Sequence, residues 1–120
     1  MTDEERVLCR LDDIPDGGAR GFPAAPGGLV GLFAVRRGAE VRVFLNSCPH
    51  LGLPLDSLPG RFRDAPGGPV VCGVHGALFD PEDGTCFAGP CAGEALEAVP
   101  VRLRGDGGGA EVLVPEGAGL

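Results

Sequence analysis

Lysine is absent from this 120-residue chain, so all ten basic residues are arginine, set against 17 acidic ones for a net charge of −7. Nowhere do the arginines gather into a stripe or run. Nucleic acid is therefore not an expected partner, because gripping a phosphate backbone needs a concentrated positive surface. Any apolar run of membrane-spanning length is missing too. The start, Met1-Thr2-Asp3-Glu4-Glu5-Arg6, is acidic and leads into only a few apolar residues, unlike a signal peptide with its basic start and apolar segment. A cytoplasmic location is expected. Thiols stay reduced there, so five cysteines read as metal ligands or plain thiols rather than disulfides. The chain also lacks a nucleotide-binding glycine pattern, a two-histidine-one-carboxylate set and a histidine to spare for catalysis. It does not read as a complete enzyme.

Glycine and proline are abundant instead, at 22 and 12 residues, beside a hydrophobic share of 43%. Composition of the first kind alone would suggest disorder. Short Val, Leu and Phe runs supply enough apolar surface for a core, and the Gly and Pro then mark the turns of a loop-rich all-β fold. Residues 6–11 and 29–36 read as strands, separated by a Gly/Pro-rich stretch over 15–28. Arg37-Gly38-Ala39 looks like a turn into a strand over 40–46, where Val41, Val43 and Leu45 alternate with Arg42 and Phe44. Short strands are expected over 68–71, 77–79 and 85–87, with Asp80-Pro81-Glu82-Asp83-Gly84 as a type I turn. Val99, Val101 and Leu103 share one face of a further strand whose Pro100 belongs at a sheet edge. A glycine-rich turn then returns the chain through residues 110–114. No segment of ten residues has sustained helical periodicity, although residues 93–98 have room for one short turn. The acidic surface suits docking to a basic patch on another protein, and it also serves plain solubility.

Both histidines follow a cysteine at short spacing. Cys48-Pro49-His50 is followed, after 21 residues, by Cys72-Gly73-Val74-His75. A single buried Cys or His is usually structural. Four such residues in the same order on two glycine-flanked loops reverse that expectation, since a metal site needs thiolates and imidazoles converging from a rigid frame. Structural zinc usually takes like ligands in pairs. Here each loop is mixed, so two thiolates can meet at one iron and two imidazoles at another.

Cys48-Pro49-His50-Leu51-Gly52 and Cys72-Gly73-Val74-His75-Gly76, followed by Leu78-Phe79-Asp80, Gly84 and Gly89-Pro90, resemble the two cluster-binding loops of the Rieske 2Fe-2S family. The resemblance covers about residues 40–104. It implies a Rieske-like antiparallel β-sandwich over a single domain, residues 1–120, with base sheets at 5–46 and 94–115 and a small cluster-binding subdomain of two loops at 47–93. It also implies a Rieske-type 2Fe-2S cluster whose inner iron is held by Cys48 and Cys72 and whose outer, solvent-facing iron is held by His50 and His75. Gly52 and Gly76 would let backbone N–H groups approach the sulfurs, and Gly89-Pro90 would form a third, covering loop. The linker between the motifs is somewhat longer than usual in the family. Its extra residues, 56–68, are expected to bulge outward without moving the ligands.

Subtypes differ at readable positions. Respiratory-chain members carry a further Cys in each loop and a Ser after the second His-Gly pair, where this chain has Leu53, Val74 and Ala77. Without that disulfide and hydroxyl the reduced cluster is less stabilised, and a potential near the low end of the Rieske range, about −150 mV, is expected. This resembles the ferredoxin-type members that serve oxygenases: soluble one-electron carriers passing electrons from a flavin reductase to an oxygenase-type partner. Two alternatives are a Rieske-like small subunit of a multi-subunit oxidoreductase such as nitrite reductase, and a structural zinc domain. Of the remaining cysteines, Cys86 and Cys91 flank Gly89-Pro90 and read as packing residues in preference to a redox pair. Cys9, on a strand, reads as core.

Overall fold

The computed structural model describes residues 5–22, 31–47, 55, 62–63, 67–72, 76–89 and 92–115. The described residues form ten strands: β1 Glu5–Arg10, β2 Ala19–Phe22, β3 Leu32–Arg37, β4 Glu40–Leu45, β5 Val70–Val71, β6 Leu78–Phe79, β7 Cys86–Ala88, β8 Ala98–Val99, β9 Arg102–Arg104 and β10 Glu111–Pro115. Two single 3-10 turns, Leu11–Asp13 and Gly107–Gly109, are the only helical pieces among the described residues. The strands make three antiparallel sheets in the orders β1-β10-β9, β2-β3-β4-β8 and β5-β6-β7. The all-β expectation holds.

The middle sheet is covered on both faces, and period two explains how. Along β3, Leu32 and Ala34 point to one side, where they meet Val41, Val43 and Val99 of the same sheet and Cys9, Leu11, Ile14, Ala110, Val112 and Val114 beyond it. Phe33 and Val35 point the other way, into a second core with Phe44, Leu55, Phe62, Val70, Cys72, Ala77, Phe79, Cys86 and Leu96. The β5-β6-β7 sheet thus rests on the back of the base sandwich. The 40–46 alternation is reproduced with one addition: Phe44, opposite Val43, is as buried as its neighbours because a second layer lies on that face.

Four local differences have physical reasons. Strand β2 forms inside the Gly/Pro-rich stretch that separated two expected strands, because β3 offers it an edge from Val35 to Leu32. The 99–103 strand is split at Pro100. Val99 pairs with β4 while Arg102 and Leu103 pair with β10, and Pro100, without an N–H to donate, stands where the chain leaves one sheet edge for another. The turn over residues 80–84 closes on a Gly84 N–H that donates to Asp80 O at 2.7 Å, a span of four residues and so wider than a β-turn. Residues 92–93 form a turn and Ala95 an isolated bridge to Thr85, so no helical turn develops at 93–98 among the described residues.

The linker expectation is corrected more deeply. Leu55 and Phe62 are fully buried, and Phe62 stacks on Phe33 with ring centroids 4.6 Å apart and planes 10° apart. The Phe62 carbonyl accepts the Val71 N–H at 2.7 Å, and the Gly67 N–H donates to Gly17 O at 2.7 Å. Phe62, within the stretch expected to bulge outward, and Leu55 before it thus turn inward, because an apolar side chain gains more from a dry core than from water.

Candidate metal centre

Cys72 is the one expected ligand that lies within the described residues; Cys48, His50 and His75 lie outside them. Among the described residues no three His, Cys, Asp or Glu side chains converge on a possible metal position. The frame that carries the two motifs is nonetheless well defined.

Strand β4 delivers the first motif. Its last residues are fixed by Leu45 N–H donating to Glu97 O at 3.0 Å, Asn46 N–H to Gly31 O at 2.9 Å and Ser47 N–H to Leu45 O at 2.9 Å. On the far side of the motif, the Leu55 N–H donates to the Asn46 side-chain Oδ1 at 2.8 Å, and the Leu55 side chain is sealed in the core. Asn46 therefore clamps both ends of the first loop. Sequence reasoning took it only as the last residue of a strand; an Asn just ahead of a Gly/Pro-rich loop is the available signal, since its amide can stand in for a backbone partner.

Strand β5 delivers the second motif. Cys72 is fully buried among Phe79, Ala77 and Cys86. Its N–H donates to Ala77 O at 2.9 Å, and its carbonyl accepts the Gly76 N–H at 2.8 Å, so the loop between them is closed at its base. Gly76 has φ of +70°, which a side chain rarely tolerates, and this turn geometry is its first role. Its own N–H is the one that donates to the Cys72 carbonyl. Gly52 lies outside the described residues.

The third loop closes by backbone bonds: Cys86 N–H to Glu94 O at 2.8 Å and Gly93 N–H to Cys86 O at 3.1 Å. Gly89 sits directly on Ala77, and a Cβ at Gly89 would come within 2.7 Å of Ala77 Cα. The segment expected to cover the site is thus pressed onto the second loop. Cys86 is buried, and its thiol donates to Ala88 O at 3.2 Å, the behaviour of a packing residue. Pro90 and Cys91 lie outside the described residues. Cys9 is likewise core, and burial, helped by the nearby Asp13 carboxylate, pushes its thiol up to about 11, so it is protonated and inert at neutral pH.

The buried residues around Cys72 fit an iron–sulfur ligand. A thiol sealed among apolar side chains has few alternative partners, and metal coordination is one means of satisfying it. The only residue spacing in the sequence that supplies matching imidazoles is the pair of mixed motifs.

The comparisons with known proteins agree with this frame. The model of the Rieske [2Fe-2S] domain matches residues 4–102. Among solved structures, the ferredoxin of carbazole 1,9a-dioxygenase from Nocardioides aromaticivorans IC177 superposes with a TM-score of 0.68 at 29% identity, over 92% of this chain and 96% of that one. A chain in a complex of reduced oxygenase and oxidized ferredoxin of carbazole 1,9a-dioxygenase gives a TM-score of 0.68 at 22% identity, over 95% and 94%. The terminal oxygenase from the same Nocardioides strain gives 0.63 at 23% identity, but this chain then spans only 30% of it. The last two likenesses speak for fold alone. No curated protein matches the chain in sequence.

Proposed function

We propose that this chain, which belongs to the Rieske [2Fe-2S] domain family, is a small one-electron carrier, itself without catalysis, that hands electrons from a flavin reductase to an oxygenase-type partner. The observation that carries this reading is the match to 96% of the ferredoxin of carbazole 1,9a-dioxygenase at 29% identity, against 30% of an oxygenase chain. No described helix is long and apolar enough to cross a membrane, and the reading places the protein in the cytoplasm.

The family's 2Fe-2S cluster, when bound, supplies a centre that accepts and releases one electron. In this reading the whole of 1–120 is one domain, Cys48 and Cys72 hold one iron, and His50 and His75 hold the other. Asn46 and Leu55 would keep the first loop in place, the bonds between Cys72, Gly76 and Ala77 would keep the second, and Gly89 would brace the second loop through its contact with Ala77. Ala77 in place of a hydroxyl residue leaves the centre with one donor fewer, which keeps its potential low.

The test is redox titration of the purified protein followed by its visible and EPR spectra. A midpoint near about −150 mV with a histidine-ligated 2Fe-2S signature is expected. Cys72→Ser should lose iron and colour while keeping its far-UV spectrum. A colourless zinc protein, or a midpoint near about −400 mV as in four-cysteine ferredoxins, sinks the reading.

A further inference from the structure

Four of the ten arginines line one cleft of about 390 Å³: Arg36, Arg37, Arg42 and Arg63, together with Glu40 and Glu82. The cleft lies at the start of β4 and beside the turn that joins β6 to β7. Strand β4 starts there, at Glu40, and runs toward the first motif at its other end; the 80–84 turn joins the ends of β6 and β7 opposite the 72–77 and 89–93 loops. Its size is at the small end of ligand sites.

The four guanidiniums fall into two kinds. Arg36 and Arg63 are anchored by backbone carbonyls. The Arg36 Nε–H donates to Gly38 O at 2.7 Å and its Nη1 to Ile14 O at 3.0 Å. The Arg63 Nε and Nη2 both donate to Gly68 O, at 2.8 and 2.5 Å, and Nη1 to Gly18 O at 3.3 Å. Among the described residues neither meets a carboxylate, yet both are fixed in place and keep N–H groups to spare, since a guanidinium carries five. Arg37 and Arg42 share the Glu82 carboxylate, one oxygen each, both at 3.4 Å, and Arg42 reaches Glu40 at 3.8 Å. Charged hydrogen bonds normally close to about 2.7–2.9 Å, so Glu82 is loosely held. Asp16, at the rim, is occupied by the Gly38 N–H at 2.8 Å. Among the described residues four guanidiniums face the carboxylates of Glu40 and Glu82 in the cleft and of Asp16 at its rim, so this corner carries net positive charge in a chain whose net charge is −7.

We infer that this cleft binds a small dianion with at least two anionic oxygens, a phosphate or a short dicarboxylate, which displaces the Glu82 carboxylate from between Arg37 and Arg42 and brings its second charge to Arg63. Guanidinium forks recognise such oxyanions, and here two of them are held in place by backbone carbonyls while Arg37 and Arg42 can close on the ligand. Burial pushes Arg63 down from its ordinary value, the direction expected of a cation drawn partly out of water. The inference stands apart from the redox reading and survives its failure.

Isothermal titration of the whole protein with sodium phosphate and, separately, with sodium succinate tests it, with sodium chloride at matched ionic strength as reference. One-to-one saturation by at least one dianion, beyond any chloride effect, is expected, and whichever saturates at lower concentration identifies the ligand class. The Arg37→Ala/Arg42→Ala double variant should weaken binding about tenfold or more, as losing hydrogen bonds to a charged group does. Arg63→Lys, which keeps the charge and loses the fork, should also weaken it, and Glu82→Gln should tighten it by removing the competitor. Far-UV circular dichroism verifies folding of each variant. Saturation by neither dianion, or binding unchanged in folded Arg37→Ala/Arg42→Ala protein or weakened in Glu82→Gln, overturns the inference.

Discussion

Strands β3 and β4 pair without interruption from Leu32–Leu45 to Arg37–Glu40, whereas among the described residues β5 meets β6 only at Val70–Phe79 and Val71–Leu78, and the β6–β7 register shifts within two residues. The base is held by backbone ladders. The sheet under the metal motifs has few ladder bonds and depends on side chains: Phe62 and Phe79 wedged against Phe33 and Phe44, Leu55 as a plug, and single backbone clamps at each loop base. Strands this short are marginal by themselves. A site made of loops gains from that economy, because the loops can follow their ligands while a packed floor keeps their ends fixed.

The contrast breaks most sharply at Phe62. Phe62→Ala empties a stacked position in the floor and should cost about 3–5 kcal/mol in chemical denaturation. Hydrogen exchange should show the loss as faster exchange at Val71 and Cys72, with the β1-β10-β9 amides still protected at lower denaturant. Uniform loss of protection across all three sheets would mean that the two regions are one unit. Gly89→Ala drives a Cβ into Ala77 at a positive φ and should cost about 1–3 kcal/mol, along with faster loss of bound iron to a chelator. Asn46→Ala removes the clamp on Leu55 and should cost about 1 kcal/mol, again with faster iron release, while thermal unfolding stays a single transition.

The smallest effect belongs to the base. Glu5 on β1 reaches across β10 to Arg102 on β9 at 2.6 Å, and this hydrogen bond holds its carboxyl below the ordinary 4.5. A depressed carboxyl contributes stability above its unfolded value and loses it as pH falls through the folded one. The stability gap between the protein and Glu5→Gln should therefore be full above pH about 4.5 and close below it. A gap that widens in acid would contradict the pairing. High salt should shrink it, because the pair is exposed.

Legibility followed the range of the forces involved. The long strands were readable because their period-two patterns are local: Val41, Val43 and Leu45 face one core as their spacing requires, and Cys9 belongs to it as a strand residue should. Strand β2 was not readable, since Ala19-Arg20-Gly21-Phe22 has no alternation and becomes a strand only because β3 offers an edge. Phe62 lay unseen within a Gly/Pro-rich linker, its burial decided by Phe33 far away in sequence. Asn46 read as a strand terminus, and its clamp exists only once the chain has come back at Leu55.

The sequence alone determined the chemistry on offer, two thiolates and two imidazoles in mixed pairs, and the all-β class, because residue type and period are written position by position. Tertiary structure alone decided that Pro100 divides one apolar stripe between two sheets, that Leu55 and Phe62 of the linker are buried, and that four scattered arginines line a single cleft. Those outcomes depend on which distant segments meet, and that is settled by the shared burial of apolar surface and the pairing of backbone groups across the whole chain.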